Sequence, residues 1–365
     1  MKINKNSILC FFIMFTSVFF RYLAIWDLIS TEKRYMLLPI VIILFIIYLC
    51  NKKISKNRIT FIIFILIMGL LDFLITNEID IFIPLLFAII YMRKNGDRDF
   101  LKHFVICSSL FYLATIILCK VGIIENTEFI RVVDNKTIIR NTLGFTNPNH
   151  ALTLLTPIII SLSLILNLNS KKKKIIFSIF ALLISYLIYY YTNSRTGFYC
   201  IILFIILLLI IKNNNIIIVT KAKYLFFLFT IITFIIAFVF GNTSSAINNI
   251  LTNRPVMWKE TINRVVISLF GNSTIKVDNN YLWLLYRHGL IIYIFYMYIY
   301  GKATNYFVKN NRLFISMFLV LIYSLFENTL NYVFNPIFTL SIMYLLNFGK
   351  HDMYLYNNDE GEKYE

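Results

Sequence analysis

Five arginines carry the strongest chemical signal in this chain, because a guanidinium holds phosphate oxygens in bidentate fashion and keeps its charge when partly desolvated. They come from four separate segments and are Arg140, Arg195, Arg254, Arg264 and Arg287. A single arginine near a membrane boundary more often reaches out to water or to lipid headgroups. The five together predict an anionic ligand at a membrane surface, and a lipid-linked diphosphate is the natural candidate.

Two short motifs precede apolar stretches and so predict helix starts. In Asn147-Pro148-Asn149 the proline can open a helix, and the two amides can bind sugar hydroxyls or serve as a plain helix cap. Ser194-Arg195-Thr196-Gly197 places a cation at another helix start, where backbone N–H groups also favour anions.

Candidate acids and bases lie near the same predicted boundary. Asp278 precedes one apolar stretch and Glu327 ends another, so either carboxylate could act as a general base, as a helix cap or as an ion-pair partner. His150 and His288 could move protons, although histidines near helix ends are more often structural.

The composition indicates that these residues belong to a membrane protein, whose transmembrane helices position them. The chain has 365 residues, of which 59% are hydrophobic and 15% charged, and its mean hydropathy is +0.74. Apolar stretches recur from end to end and predict about twelve transmembrane helices in an all-α fold. The predicted helices cover residues 7–26, 35–50, 59–76, 79–92, 103–124, 151–168, 175–191, 197–211, 224–240, 281–300, 313–327 and 333–348.

The basic residues predict the orientation of these helices. The net charge is +17, and most Lys and Arg residues fall in alternate, short loops, which is the positive-inside pattern. Both termini are therefore expected in the cytoplasm, and the motifs above at the outer face. The charge is attributed to topology, which argues against a nucleic-acid partner. The five cysteines lack paired spacing, and neither outer loop has a clustered carboxylate motif, so we expect no metal or cofactor.

A single transmembrane domain is expected over residues 1–348, followed by a disordered cytoplasmic tail over 349–365. Two outer loops, 125–149 and 241–280, are too long for simple connections. In the second, apolar residues recur at helical spacing over 258–270 and predict an amphipathic helix at the interface.

These motifs together resemble those of the Wzy-type O-antigen and capsular polysaccharide polymerases, which are relatives of the O-antigen ligases. The resemblance rests on Arg140-x-x-x-Gly144-Phe145-x-Asn147-Pro148-Asn149, Ser194-Arg195-Thr196-Gly197, Arg254-x-x-x-Trp258, and Gly271 leading to Asp278-Asn279-x-Tyr281-Leu282 with Gly289. One departure is Asp278, which stands where the ligases have a histidine. Another is His150, which follows the Asn-Pro-Asn turn where small residues are usual.

The resemblance implies a GT-C-like, metal-independent, inverting glycosyltransferase of the bacterial cytoplasmic membrane. It would move a glycan from undecaprenyl diphosphate onto the non-reducing end of a lipid-linked repeat unit, alongside a flippase and a chain-length regulator. Asp278, Arg254 and Arg195 are expected to be catalytic. Substrate binding is expected from Arg140, Asn147, Asn149, His150, Trp258, Arg264, Asn279, Tyr281, Arg287, His288 and Glu327. The alternatives are a ligase-like transferase to another acceptor and, from a different class, a flippase or transporter for lipid-linked oligosaccharide.

Overall fold

The computed structural model of the protein describes residues 5–28, 56–76, 82–93, 95–133, 136–211, 222–242, 251–328, 335–346 and 355. These residues are mostly helical, with one small sheet. The chain divides into two compact units, residues 1–58, 86–212 and 349–365 in the first and residues 59–85 and 213–348 in the second. The single domain over 1–348 stays a prediction.

The first unit contains α1 (Lys5–Ile25), the end of α3 (Phe82–Ile90), α4 (Gly96–Lys120), α5 (Pro148–Ile165), α6 (Lys171–Thr192) and α7 (Arg195–Ile210). Helix α4 has Asp97 and Asp99 in its first turn and Lys120 in its last, which suits the helix dipole. It packs between α1 and α5, and α6 packs against α5 and α7.

A β-hairpin occupies part of the first predicted loop, which sequence reasoning left as an irregular connection. Strands β1 (Glu128–Val133) and β2 (Lys136–Asn141) pair antiparallel, with Phe129 opposite Arg140. Strand β2 contacts α6, so the hairpin places Arg140 over the end of that helix.

The second unit contains most of α2 (Lys56–Thr76), then α8 (Leu225–Phe240), α9 (Arg254–Arg264), α10 (Asn280–Leu282), α11 (Gly289–Phe307), α12 (Asn311–Tyr323) and α13 (Pro336–Leu346). A 3₁₀ turn (Ala222–Tyr224) precedes α8, and a π-helical turn (Trp283–His288) joins α10 to α11. Helix α8 packs on α9, α11 and α12, and buried aromatic rings such as Tyr296 and Phe338, stacked at 4.3 Å, fill the core between α11 and α13.

Six of the described helices are long and apolar enough to cross a membrane. They cover Ser7–Ile25, Gly96–Lys120, Pro148–Ile165, Lys171–Thr192, Ala222–Phe240 and Asn280–Phe307. This fits an α-helical membrane protein. The predicted count of about twelve is not reached among the described residues, because a helix needs roughly 20 apolar residues to span the hydrocarbon.

The difference comes from helix length and not from misplaced helices. A helix lies in every predicted segment except 35–50, which falls outside the described residues. Several are short: α7, α12 and α13 have 16, 13 and 11 residues, and α3 has nine. Helix α12 begins directly after the cap residue Asn310 and ends at Tyr323.

A helix covers part of the segment 258–270 that is predicted as an amphipathic interface helix, but its bounds differ. Helix α9 begins at Arg254 and ends at Arg264, and residues 265–270 follow without helical structure. Val266 in that segment is 88% exposed. The predicted tail lies outside the described residues apart from Leu355, which is buried and whose N–H donates to Asp97 Oδ2 at 2.9 Å.

Candidate functional site

Arg254 in the second unit lies between two carboxylates that come from distant parts of the sequence. Its Nε is 2.7 Å from Asp278 Oδ2, and its Nη2 is 2.7 Å from Glu327 Oε1. The Arg254 side chain is 11% exposed, Glu327 13% and Asp278 30%. We call Arg254, Asp278 and Glu327 the acidic triad, since two carboxylates outnumber one guanidinium.

The triad keeps Arg254 charged despite its burial. Burial alone would lower the pKa of the guanidinium, but the two neighbouring carboxylates outweigh burial and raise the pKa of Arg254 above its ordinary value. Because both forks of the guanidinium already face carboxylates, a phosphate would have to compete for them. Arg254 is therefore better suited to holding Asp278 and Glu327 than to binding a free anion.

Trp258 completes the fixation of Asp278. It lies four residues after Arg254 on the same face of α9, and its Nε1 donates to Asp278 Oδ1 at 3.0 Å. The Trp258 ring is fully buried, so its predicted substrate contact would need a rearrangement. Asp278 thus has one protein donor on each oxygen and is the most exposed member of the triad.

Asn279 and Tyr281 hold the turn that follows Asp278. Asn279 caps α10, because its Oδ1 accepts from Leu282 N at 3.0 Å, and its Nδ2 donates to the Leu325 carbonyl at 2.7 Å. Tyr281 donates its hydroxyl to the Leu321 carbonyl at 2.7 Å. Both side chains are fully buried, so these contacts favour a structural role over the predicted substrate contact.

Arg287 and His288 lie at the end of the π-helical turn of the second unit. Arg287 is partly exposed and donates from Nη1 to the Ile275 carbonyl at 2.7 Å. His288 is fully buried and hydrogen-bonded through Nδ1 to Asp72 of α2, which is also fully buried. Sequence reasoning did not connect these two residues, although an aspartate inside an apolar helix signals a buried partner.

In the first unit Arg140 joins the hairpin to two helices. Its Nε donates to the Thr192 carbonyl at 3.1 Å, and its Nη2 donates to Asn149 Oδ1 at 2.5 Å. Thr192 is the last residue of α6, where carbonyls lack helical partners and favour a cation. Arg140 therefore satisfies a helix end and orients the Asn149 amide.

The Asn-Pro-Asn motif forms the helix start that its sequence predicts. Asn147 caps α5 by accepting from Asn149 N at 2.8 Å, and Pro148 is the first helical residue. His150 is partly exposed, and its Nδ1 lies 2.7 Å from the Thr146 hydroxyl. Asn147 is exposed, which leaves its Nδ2 able to meet a ligand.

Arg195 and Arg264 are the two exposed arginines of the predicted set. Arg195 begins α7 and forms no hydrogen bond or ion pair with any residue that the structure describes. Arg264 is 77% exposed and lies 3.9 Å from Glu260, one turn earlier in α9. Among the five arginines, Arg195 is thus the best placed to accept an anionic ligand, since its side chain bonds to no described residue and backbone N–H groups lie at the same helix start.

The structure brings together Arg254, Trp258, Asp278 and Glu327 in one unit and Arg140 with Asn149 in the other. Within the part of the chain that the structure describes, Arg264 makes only its long contact within α9. A common site for all five arginines stays a prediction. The described residues hold no group of three His, Cys, Asp or Glu side chains that could bind a metal ion.

Comparison of the chain with protein-family models, with curated proteins and with solved structures found no match.

Proposed function

We propose that this chain is a Wzy-type polysaccharide polymerase of the bacterial cytoplasmic membrane. The substrate would be a glycan on undecaprenyl diphosphate, and the acceptor would be the non-reducing end of a lipid-linked repeat unit. The observation that carries the proposal is the acidic triad, in which a partly exposed Asp278 is oriented by Arg254 and Trp258. A carboxylate held in this way can take a proton from a sugar hydroxyl.

The transfer would follow an inverting displacement. Asp278 accepts the proton of the acceptor hydroxyl, and the oxygen of that hydroxyl bonds to the anomeric carbon of the donor glycan. The bond from that carbon to the diphosphate oxygen breaks, and undecaprenyl diphosphate leaves with the electron pair. Arg195 would stabilise the charge on the leaving group, and Arg254 would hold Asp278 and Glu327 in place.

The topology that this reaction requires is part of the same proposal. The triad and Arg195 would lie at the outer face of the membrane, and both termini in the cytoplasm. The exposed Asn147 amide, beside the Arg140-oriented Asn149, would bind sugar hydroxyls of the substrate. A flippase would supply the repeat units, and a chain-length regulator would act on the product.

The substitution Asp278→Asn tests the proposal directly. In a deletion strain complemented with this variant, we expect single repeat units on lipid and loss of long polymer, since an amide cannot accept the proton. Mass spectrometry of extracted lipid-linked oligosaccharides measures the result. The control is Asp99→Asn, which opens an ion pair with Arg93 in the first unit and should leave polymer length normal. Polymer of normal length from Asp278→Asn would remove Asp278 as the base.

A transporter of lipid-linked oligosaccharide is the second candidate, because one observation favours it. The buried pair Asp72 and His288 lies within apolar helices, where ionisable residues commonly mark a transport or proton path. In a deletion strain this function predicts repeat units trapped on the inner leaflet, whereas the polymerase predicts single units that reach the outer leaflet. Protection of the glycan from an added glycosidase in right-side-out vesicles separates the two.

A further inference from the structure

The π-helical turn Trp283–His288 supports the loop that leads to Asp278. Because a π-helical turn widens the helix, its carbonyls become available to other donors, and such turns are frequent at functional sites. Here the backbone N–H of Asn272 lies 3.0 Å from the carbonyls of both Tyr286 and Arg287. The loop therefore donates to the carbonyls of the turn.

Two glycines allow this close approach of backbone to backbone. Gly271 and Gly289 have φ angles of 76° and 89°, in the left-handed region that favours glycine. A Cβ on Gly271 would overlap the Arg287 carbonyl, and one on Gly289 would overlap the Gly271 nitrogen. Leu290 N also donates to the Ser268 carbonyl at 3.0 Å, so the loop is bonded to the chain on both sides of Gly289.

Side chains attach the rest of the loop as far as Asp278. Arg287 donates to the Ile275 carbonyl, three residues before Asp278. Asn328 donates from Nδ2 to the Val277 carbonyl at 2.9 Å. The position of the Asp278 carboxylate therefore depends on the turn that presents Arg287.

The turn itself is attached to α2 through His288. The imidazole is hydrogen-bonded to Asp72 and packs against Trp283, with ring centroids 3.9 Å apart. Both members of the pair are fully buried, and removing one is destabilising, because the other loses this hydrogen bond in an apolar surrounding.

We propose that Asp72 and His288 are positioning residues, which fix the π-helical turn and through it the Gly271–Asp278 loop and the Asp278 carboxylate. Neither needs to touch substrate. The catalytic consequence rests on the proposed function, whereas the conformational consequence does not.

Hydrogen exchange of the purified protein tests the conformational part. In Asp72→Asn and His288→Asn we expect backbone amides of residues 270–278 to exchange about tenfold faster, while those of α5 keep their rates. The exchanged pair, Asp72→His with His288→Asp, should restore slow exchange. The matched control is Asp99→Asn, which breaks a pair of the first unit. Unchanged exchange over 270–278 in both single variants would overturn the proposal.

Two further variants keep the test decisive where the single variants do not fold. Arg287→Gln removes the hydrogen bond to the Ile275 carbonyl from a partly exposed side chain, and Gly289→Ala forces the turn and the loop apart by sterics. Each should speed exchange over the same residues. If neither does, the turn does not hold the loop.

Activity then separates the two proposals. In a membrane-vesicle transfer assay, misplacement of Asp278 by Asp72→Asn should lower kcat about tenfold or more and leave KM unchanged, and the exchanged pair should recover it. Faster exchange without any polymerase activity in the unmodified protein would remove the proposed function and keep the positioning role. Normal exchange and normal kcat in Asp72→Asn, with loss of polymer in Asp278→Asn, would remove the positioning role and keep the proposed function.

Discussion

The arginines of the two units meet different environments, although the sequence presents them as equivalents. Arg254 is buried and faces two carboxylates, whereas Arg140 donates to the neutral oxygens of Thr192 and Asn149, and Arg195 is exposed. Burying a guanidinium costs several kcal/mol unless counter-ions offset it, so the buried arginine requires its carboxylates and the exposed one does not. Substitution of the buried arginine should therefore affect mainly stability, whereas substitution of the exposed one should not.

The largest effect that separates the units is expected from Arg254→Ala. It leaves Asp278 and Glu327 as two adjacent, mostly buried carboxylates without a cation, which should lower the free energy of unfolding by about 3 kcal/mol or more. Thermal unfolding of the purified protein measures the loss. The control is the triple variant Arg254→Met, Asp278→Asn and Glu327→Gln, which removes all three charges and should be closer in stability to the unmodified protein.

The comparison fails if Arg254→Ala is as stable as the unmodified protein while long polymer disappears. Arg254 would then act on substrate, as the sequence motif implies, and its carboxylates would be incidental.

Arg195→Ala should show the opposite pattern, with a large effect on activity and little on stability. Loss of an exposed cation that stabilises the leaving diphosphate is expected to reduce transfer about 100-fold. Unfolding should change by less than about 0.5 kcal/mol, because the side chain has no partner among the described residues. Transfer in membrane vesicles and thermal unfolding measure the two effects. Arg195→Lys keeps the charge but loses the bidentate guanidinium, so it should retain part of the activity. Normal transfer by Arg195→Ala would mean that Arg195 does not bind the leaving diphosphate.

A smaller effect on stability is expected from Arg140→Gln in the first unit. The change removes the donors to the Thr192 carbonyl and to Asn149 Oδ1, and unsatisfied polar groups of this kind cost about 1 to 3 kcal/mol. Thermal unfolding checks the loss, and Lys120→Gln, at the exposed end of α4, is a control for charge removal in the same unit. A stability equal to that of the control would mean that water replaces the guanidinium.

How far the sequence predicts this structure depends on how far apart in the chain the residues that determine each feature lie. Apolar runs and local caps such as Asn147-Pro148 are encoded within a few residues, and their helices lie where expected. The hairpin was missed, although Asp134-Asn135 between two β-branched runs is a turn signal. The pairing of Arg254 with Glu327 and that of Asp72 with His288 depend on tertiary packing across 73 and 216 positions, which no local pattern encodes. The short helices differ from the predicted spans because hydropathy marks apolar stretches more reliably than helix ends.

The smallest effect should come from Arg264→Gln, which tests whether Arg264 contacts substrate or only solvent. Arg264 lies in the same helix as Arg254, ten residues later. Its contact with Glu260 is 3.9 Å long, and both side chains are exposed. Such pairs contribute about 0.5 kcal/mol or less, and that contribution falls further with added salt. Thermal unfolding at low and high salt, together with polymer length in the complemented strain, should therefore match the unmodified protein. Loss of polymer without loss of stability would instead support the substrate contact predicted for Arg264.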